Sequence, residues 1–174
     1  ARRLACCCQH SGGERGHRMA HDRRDDYPSP SACRRRKRGQ HNQALGRSRG
    51  GFSTKIHAVC DSHGNPLRFI LTGGNCSDYD GVLALLQGHR ATAVLADKGY
   101  DADYVVEAIR GMGAEVVIPA RSHRKTPRDY DRHLYKERNL IERMFNLLKH
   151  FLRVSTRYDK TALSFISFLH LAGA

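Results

Sequence analysis

An α/β fold is predicted by three features of the chain. Strand-like and helix-like segments alternate from Gly50 onward, a long segment near the C-terminus carries a helical apolar stripe, and the intervening apolar runs are short. Alternation of this kind indicates a sheet covered by helices.

Each element can be justified in turn. In Gly51–Asp61, Phe52, Thr54, Ile56, Ala58 and Cys60 alternate with Ser53, Lys55 and His57, which predicts a strand. Ser62 to Pro66 is dense in turn-forming residues, and Leu67–Thr72 predicts a second strand, so the pair forms an antiparallel hairpin closed by Gly73 and Gly74. Asp80–Leu86 predicts a short helix with Asp78 and Asp80 as caps. Ala93–Ala96 predicts a short buried strand that ends at Asp97. Val105, Val106 and Ile109 predict a helix over Asp101–Arg110, and Glu115–Ile118 a strand stopped by Pro119. A basic loop, Arg121–Arg132, leads to the long helix, and Ala162–Leu171 predicts a last one. This order fits a ribonuclease-H-like mixed sheet with flanking helices if one strand is supplied ahead of Gly51 or omitted, and a sheet lacking its first strand is expected.

The chain has 174 residues and a net charge of +13, which points to a polyanionic partner, nucleic acid first. Residues 1–50 hold 13 Lys/Arg against 4 Asp/Glu, and the rest hold 17 against 13, so most of the excess is N-terminal. No apolar run approaches the roughly 18 residues of a membrane span, and no signal peptide is legible, so a cytoplasmic, nucleoid-associated location is expected. Three adjacent thiols (Cys6, Cys7, Cys8) beside His10 cannot readily converge on one tetrahedral zinc ion.

Two segments carry chemistry. On one helix, Tyr135, Arg138, Glu142 and Lys149 fall within roughly 60° of one another at 100° per residue. Ile141, Met144, Phe145, Leu148 and Leu152 form the neighbouring core-facing stripe. A solvated charged face is the plainer explanation of such a pattern. Asp97, in Leu95-Ala96-Asp97-Lys98-Gly99-Tyr100-Asp101, ends a short apolar strand, where α/β folds place active sites; an ordinary turn aspartate is its plainer explanation.

The spacing Y-x2-R-x3-E-x6-K resembles the signature of a group of bacterial insertion-sequence transposases of the DDE class, of which D-K-G-Y-D resembles the second-aspartate motif. G-R-S-R-G-G, S-T-K-I-H, N-P-L-R-F, R-K-T-P-R-D-Y-D and T-R-Y-D-K-T extend the resemblance over Gly46–Ala172. It implies metal-dependent cleavage and strand transfer of phosphodiesters at transposon ends. Asp97 and Glu142 would be two of three carboxylates binding Mg2+ or Mn2+, since hard cations prefer oxygen ligands. Arg138 and Lys149 would contact DNA phosphates, with Tyr135 beside them and not acting as a nucleophile. Arg121, Arg124, Lys125 and Arg128 are candidate DNA-backbone contacts or a plain solvated loop. The implied partners are the terminal inverted repeats and target DNA, with a homo-oligomer as the active form and no membrane. The family pattern places no catalytic carboxylate at Asp78 or Asp80.

Such enzymes need a first aspartate on an opening strand, and Asp22, Asp25 and Asp26 stand in no such context. Residues 21–38 can be encoded by codons that, read one nucleotide later, give M-I-D-G-T-T-I-R-R-H-Q-H-A-G-A-E-S-G, which looks like the missing segment. Residues 1–40 are therefore expected to be an aberrant or disordered basic segment of off-frame origin, and 41–174 a partial catalytic domain, inactive alone. A non-catalytic fragment that binds transposon ends is the alternative. A ribonuclease-H-like nuclease with a host role would instead cleave without regard to repeat sequence.

Overall fold

The structure, a computed structural model, describes residues 3–11, 43–48, 51–124, 126 and 128–174. Its strands are β1 (Arg3–Ser11), β2 (Gly46–Ser48), β3 (Gly51–Cys60), β4 (Pro66–Gly73), β5 (Ala93–Ala96) and β6 (Glu115–Val117). Its helices are α1 (Val82–Leu86), α2 (Asp103–Gly111), α3 (Arg132–Tyr135), α4 (Asn139–Lys149), α5 (Leu152–Ser155) and α6 (Ala162–Gly173). Short 3-10 turns at Asp78–Gly81, Lys98–Tyr100 and Lys136–Arg138 join several of them. Among the described residues no helix is long and apolar enough to cross a membrane.

One mixed sheet organises the molecule. β3 lies between β1 and β4 and is antiparallel to both, while β5 runs parallel to β1 and β6 parallel to β5. The short β2 pairs with the start of β3. This is the mixed sheet with flanking helices that the element order predicts.

Of the two alternatives left open by the sequence, a strand is supplied ahead of Gly51. β1 occupies the centre of the sheet, with Ala5 opposite Cys60 on β3 and Arg3 opposite Ala93 on β5. Residues 3–11 thus belong to the sheet. The physical reason is coverage on both faces. Leu4 is buried on one side and Ala5 on the other, and a strand so placed needs no alternation of apolar and polar residues. The 12–42 stretch, with Asp22, Asp25, Asp26 and the Arg34–Arg38 run, lies outside the described residues, as do the side chains of Cys6, Cys7, Cys8 and His10.

The sheet separates two apolar cores. On one face Ile56, Ala58, Phe69 and Leu95 pack against Ile141, Met144, Phe145 and Leu148 of α4 and against Phe165 and Leu169 of α6. On the other, Leu4, Val59 and Val94 pack against Val82, Leu85 and Leu86 of α1 and Val105 and Ile109 of α2. This double coverage corrects the simple in–out alternation expected for β3, whose residues from Ser53 to Cys60 are all buried, Lys55 and His57 included. His57 bonds Thr72 through Nε2 at 2.7 Å, and the Lys55 ammonium donates to Cys76 O and Asp78 Oδ1, both at 2.6 Å.

Three local expectations also change. Asp78 does not cap α1, whose N-terminus has no side-chain cap; it pairs with Lys55 instead. The side chain of Asp80 lies outside the described residues. Leu152 is exposed, because the chain turns extended at Phe151 and ends the stripe at Leu148. The β3–β4 hairpin follows expectation: Asp61 Oδ1 accepts from the amides of His63 and Asn65, and Gly64 takes φ +86°, a left-handed conformation that glycine adopts freely.

Candidate active site

Asp97 stands directly after β5. Its Oδ1 accepts from the Lys98 amide at 2.8 Å, which fixes the carboxylate at the start of the following 3-10 turn. Along β5, Ala93 and Leu95 face the core formed with α4, and Val94 and Ala96 face the other. Period-two alternation therefore turns Asp97 toward α4.

The segment that meets Asp97 starts at Asp131. Its Oδ1 accepts from the amides of His133 at 2.7 Å and Leu134 at 3.0 Å and so starts α3. These bonds hold the Asp131 carboxyl below its ordinary pKa of 3.8. The signature helix expected over 135–149 is in fact three consecutive pieces: the end of α3, a 3-10 turn at Lys136–Arg138, and α4. The residues at the joints, Lys136 and Asn139, keep right-handed helical angles, so the run continues in one direction. The tighter turn changes the angular spacing of Tyr135 relative to Glu142 without moving them to opposite sides.

Four residues form a connected row. The Tyr135 hydroxyl donates to Asp97 Oδ1 at 3.4 Å, and its ring lies 5.5 Å from the Arg138 guanidinium. Arg138 Nη2 donates to Glu142 Oε1 at 2.7 Å, one helical turn on. Asp97 and Glu142, 45 residues apart in sequence, are thereby linked through Tyr135 and Arg138. Burial raises the Tyr135 pKa above 10.0; Arg138 opposes this and Asp97 reinforces it, so the phenol stays protonated and donates. For Arg138, burial works against the charge, but Tyr135, Glu142 and Asp97 outweigh it and raise the pKa. Lys149 is exposed at the last position of α4, roughly 10 Å farther along the axis than Glu142. It is not part of the row.

The loop arginines stand elsewhere. Arg124 Nη1 and Arg128 Nη1 both reach Asp101 Oδ1, at 2.7 and 2.8 Å, and their Nη2 atoms reach Asp103. Arg121 donates its amide to Asp101 Oδ2 at 2.9 Å, and its guanidinium bonds the carbonyls of Lys98 and Gly99 while lying over the Tyr79 ring. Lys125 lies outside the described residues. Sequence reasoning missed the roles of Asp101 and Arg3. Asp101 is expected to open α2, which starts instead at Asp103. Arg3 on β1 pairs with Glu137. A carboxylate directly after the buried Tyr100 is the one available signal for Asp101.

A family model described as "Transposase DDE domain" matches residues 26–174. The chain belongs to the DDE transposase family. β1 precedes the matched residues. The chain is similar to a putative transposase for insertion sequence element IS6501 from Brucella ovis, at 40% identity over 128 residues, covering 71% of this chain and 96% of that protein. It is also similar to a putative transposase for insertion sequence element IS402 from Burkholderia cepacia, at 36% identity over 121 residues, covering 63% of this chain and 55% of that protein. No solved structure shows a significant match.

Proposed function

We propose that this domain, in its intact form, cleaves and transfers phosphodiesters at the terminal inverted repeats of an insertion sequence. The observation that carries the reading is the row Asp97–Tyr135–Arg138–Glu142 at the end of β5. One carboxylate after β5 and one on a cationic helix suit a divalent cation bound beside nucleic-acid phosphates. Tyr135 and the Lys98 amide hold Asp97 in place, and Arg138 balances Glu142. Lys149 and the face of α4 extend toward the DNA. Target DNA and a second copy of the chain complete the active assembly, and the substrate places it at the nucleoid.

Among the described residues two carboxylates, Asp97 and Glu142, suit Mg2+ or Mn2+ as donors, and a third is not found beside them. When bound, such ions stabilise charge on the attacking and leaving oxygens. Among the described residues no cluster of three His, Cys, Asp or Glu side chains could hold a metal ion. β1 contains no aspartate or glutamate, and continuing its parallel register one step past Cys6–Ala96 sets Cys7 level with Asp97. A thiol is a poor substitute for a hard oxygen ligand. The chain alone is therefore inactive on this reading. A loss of ~4 kcal/mol of transition-state stabilisation would slow it about a thousandfold. Off-frame translation of residues 1–38 would account for the missing aspartate, since the shifted frame of residues 21–38 gives I-D-G-T.

Mg2+-dependent cleavage of a transposon-end duplex tests this, comparing the present chain with one carrying the frame-corrected N-terminus. Activity only in the corrected chain is expected. Equal activity in both would refute the missing-ligand reading, and a locus without I-D-G-T in the shifted frame would refute the off-frame origin. The carboxylate-free β1 also favours a second reading, a non-catalytic fragment that occupies transposon ends. That reading requires end-binding to survive D97N and E142Q.

A further inference from the structure

We propose that Asp101 is a positioning residue for Asp97, acting through a clasp made with Arg121, Arg124 and Arg128. The inference rests on the reading of Asp97 as a metal ligand and deepens it. It also assigns these arginines a role other than DNA contact. The Asp101 side chain is 1% exposed, and an ionised carboxylate so placed requires compensating partners. It has three: Arg124 and Arg128 on Oδ1 and the Arg121 amide on Oδ2. Asp103, at the start of α2, takes the second nitrogen of each of the two guanidinium groups, so each arginine spans both carboxylates.

The clasp reaches the turn after β5 by a direct route. With its amide held on Asp101, Arg121 donates Nη2 to Gly99 O at 2.8 Å and Nε to Lys98 O at 3.2 Å. Those carbonyls belong to the 3-10 turn that Asp97 caps, within which the Tyr100 amide donates to Asp97 O at 2.8 Å. The Arg121 guanidinium is further fixed against the Tyr79 ring at 5.1 Å. Loosening Asp101 or Arg121 frees the turn and lets the Asp97 carboxylate leave the Tyr135 hydroxyl. As a DNA contact, the loop would have to give up these ion pairs. As a clasp, it keeps them.

The test uses the full chain and Mn2+ alone as probe. Mn2+ affinity is measured by titration calorimetry for the wild type, D97N, D101N and R121A, alongside urea unfolding and hydrogen exchange of the Lys98–Asp101 amides. R121A is included because removing the carboxylate of Asp101 can itself unfold the chain, whereas the Arg121 side chain is exposed. D97N is expected to weaken Mn2+ binding. R121A is expected to weaken it by about tenfold, as is usual when a group orienting a ligand is removed, with little change in unfolding midpoint and with faster exchange at Lys98–Asp101. If D97N weakens binding while D101N and R121A leave both affinity and exchange unchanged, the clasp is overturned. An unchanged affinity in D97N overturns the metal-ligand reading instead. The exchange rates in R121A then decide the clasp by themselves.

Discussion

Removing Asp78 should destabilise the fold more than removing Lys55, although the two form one ion pair. The Lys55 side chain is 6% exposed and that of Asp78 42% exposed. The ammonium has two partners, Cys76 O and Asp78 Oδ1, each at 2.6 Å. D78A leaves a nearly dry cation with one carbonyl. Breaking a fully buried pair in this way costs roughly 3–5 kcal/mol, and because water already reaches Asp78 the expected cost falls to about 2 kcal/mol. K55M removes the charge and keeps an apolar stem of similar length, while Asp78 stays hydrated, so its cost is expected within about 1 kcal/mol. Urea unfolding followed by circular dichroism reads the difference. With a slope of about 2 kcal/mol per molar, D78A lowers the midpoint by about 1 M. The double variant K55M/D78A should unfold close to K55M, since the stranded charge is gone. A K55M variant as unstable as D78A, or strictly additive effects, would refute the asymmetry.

Other expectations follow from the same structure. Phe145, 1% exposed between α4 and the sheet, should cost about 3–5 kcal/mol on replacement by alanine, read as a lower unfolding midpoint. Arg68 Nη1 donates to Ala84 O at 2.7 Å and Gln87 O at 2.8 Å at the end of α1; R68A should cost roughly 1–2 kcal/mol and speed exchange in α1. At Asp61 burial favours protonation, but bonds from Asn65 and His63 outweigh it and lower the pKa below 3.8; at Asp131 the amides of Leu134 and His133 do the same. Their stabilisation is complete above the ordinary value and is lost as pH falls through the lowered folded value. The double variant D61N/D131A should therefore lose part of the wild type's fall in stability on acidification below pH ~4, followed by urea unfolding at stepped pH.

The helical stripe of α4 was legible because one face is apolar and one polar, and Ile141, Met144, Phe145 and Leu148 are all buried as the spacing requires. Asp97 was legible as the end of a short apolar strand, and the hairpin from its turn residues. β1 was not. Its run Leu4–Cys8 has no period, and only neighbours on both sides give Arg3–Ser11 a reason to be extended. The burial of Lys55 and His57 was not legible for the related reason that a second layer of helices cannot be seen in an alternating pattern. Arg121, Arg124 and Arg128 looked like free positive charge because their acidic partners lie about 20 or more residues earlier in the chain.

Local information in this chain thus determined the α/β class, the two signature segments and the apolar face of α4, since turn chemistry and periodicity act over a few neighbouring residues. Tertiary structure alone decided that β1 fills the sheet centre and that Tyr135 reaches Asp97 while Arg138 binds Glu142. It also decided that the basic loop folds onto Asp101. Those outcomes depend on which surfaces and charges meet across long sequence separations. Electrostatic and packing energies depend on distance in space, which residue order does not encode locally.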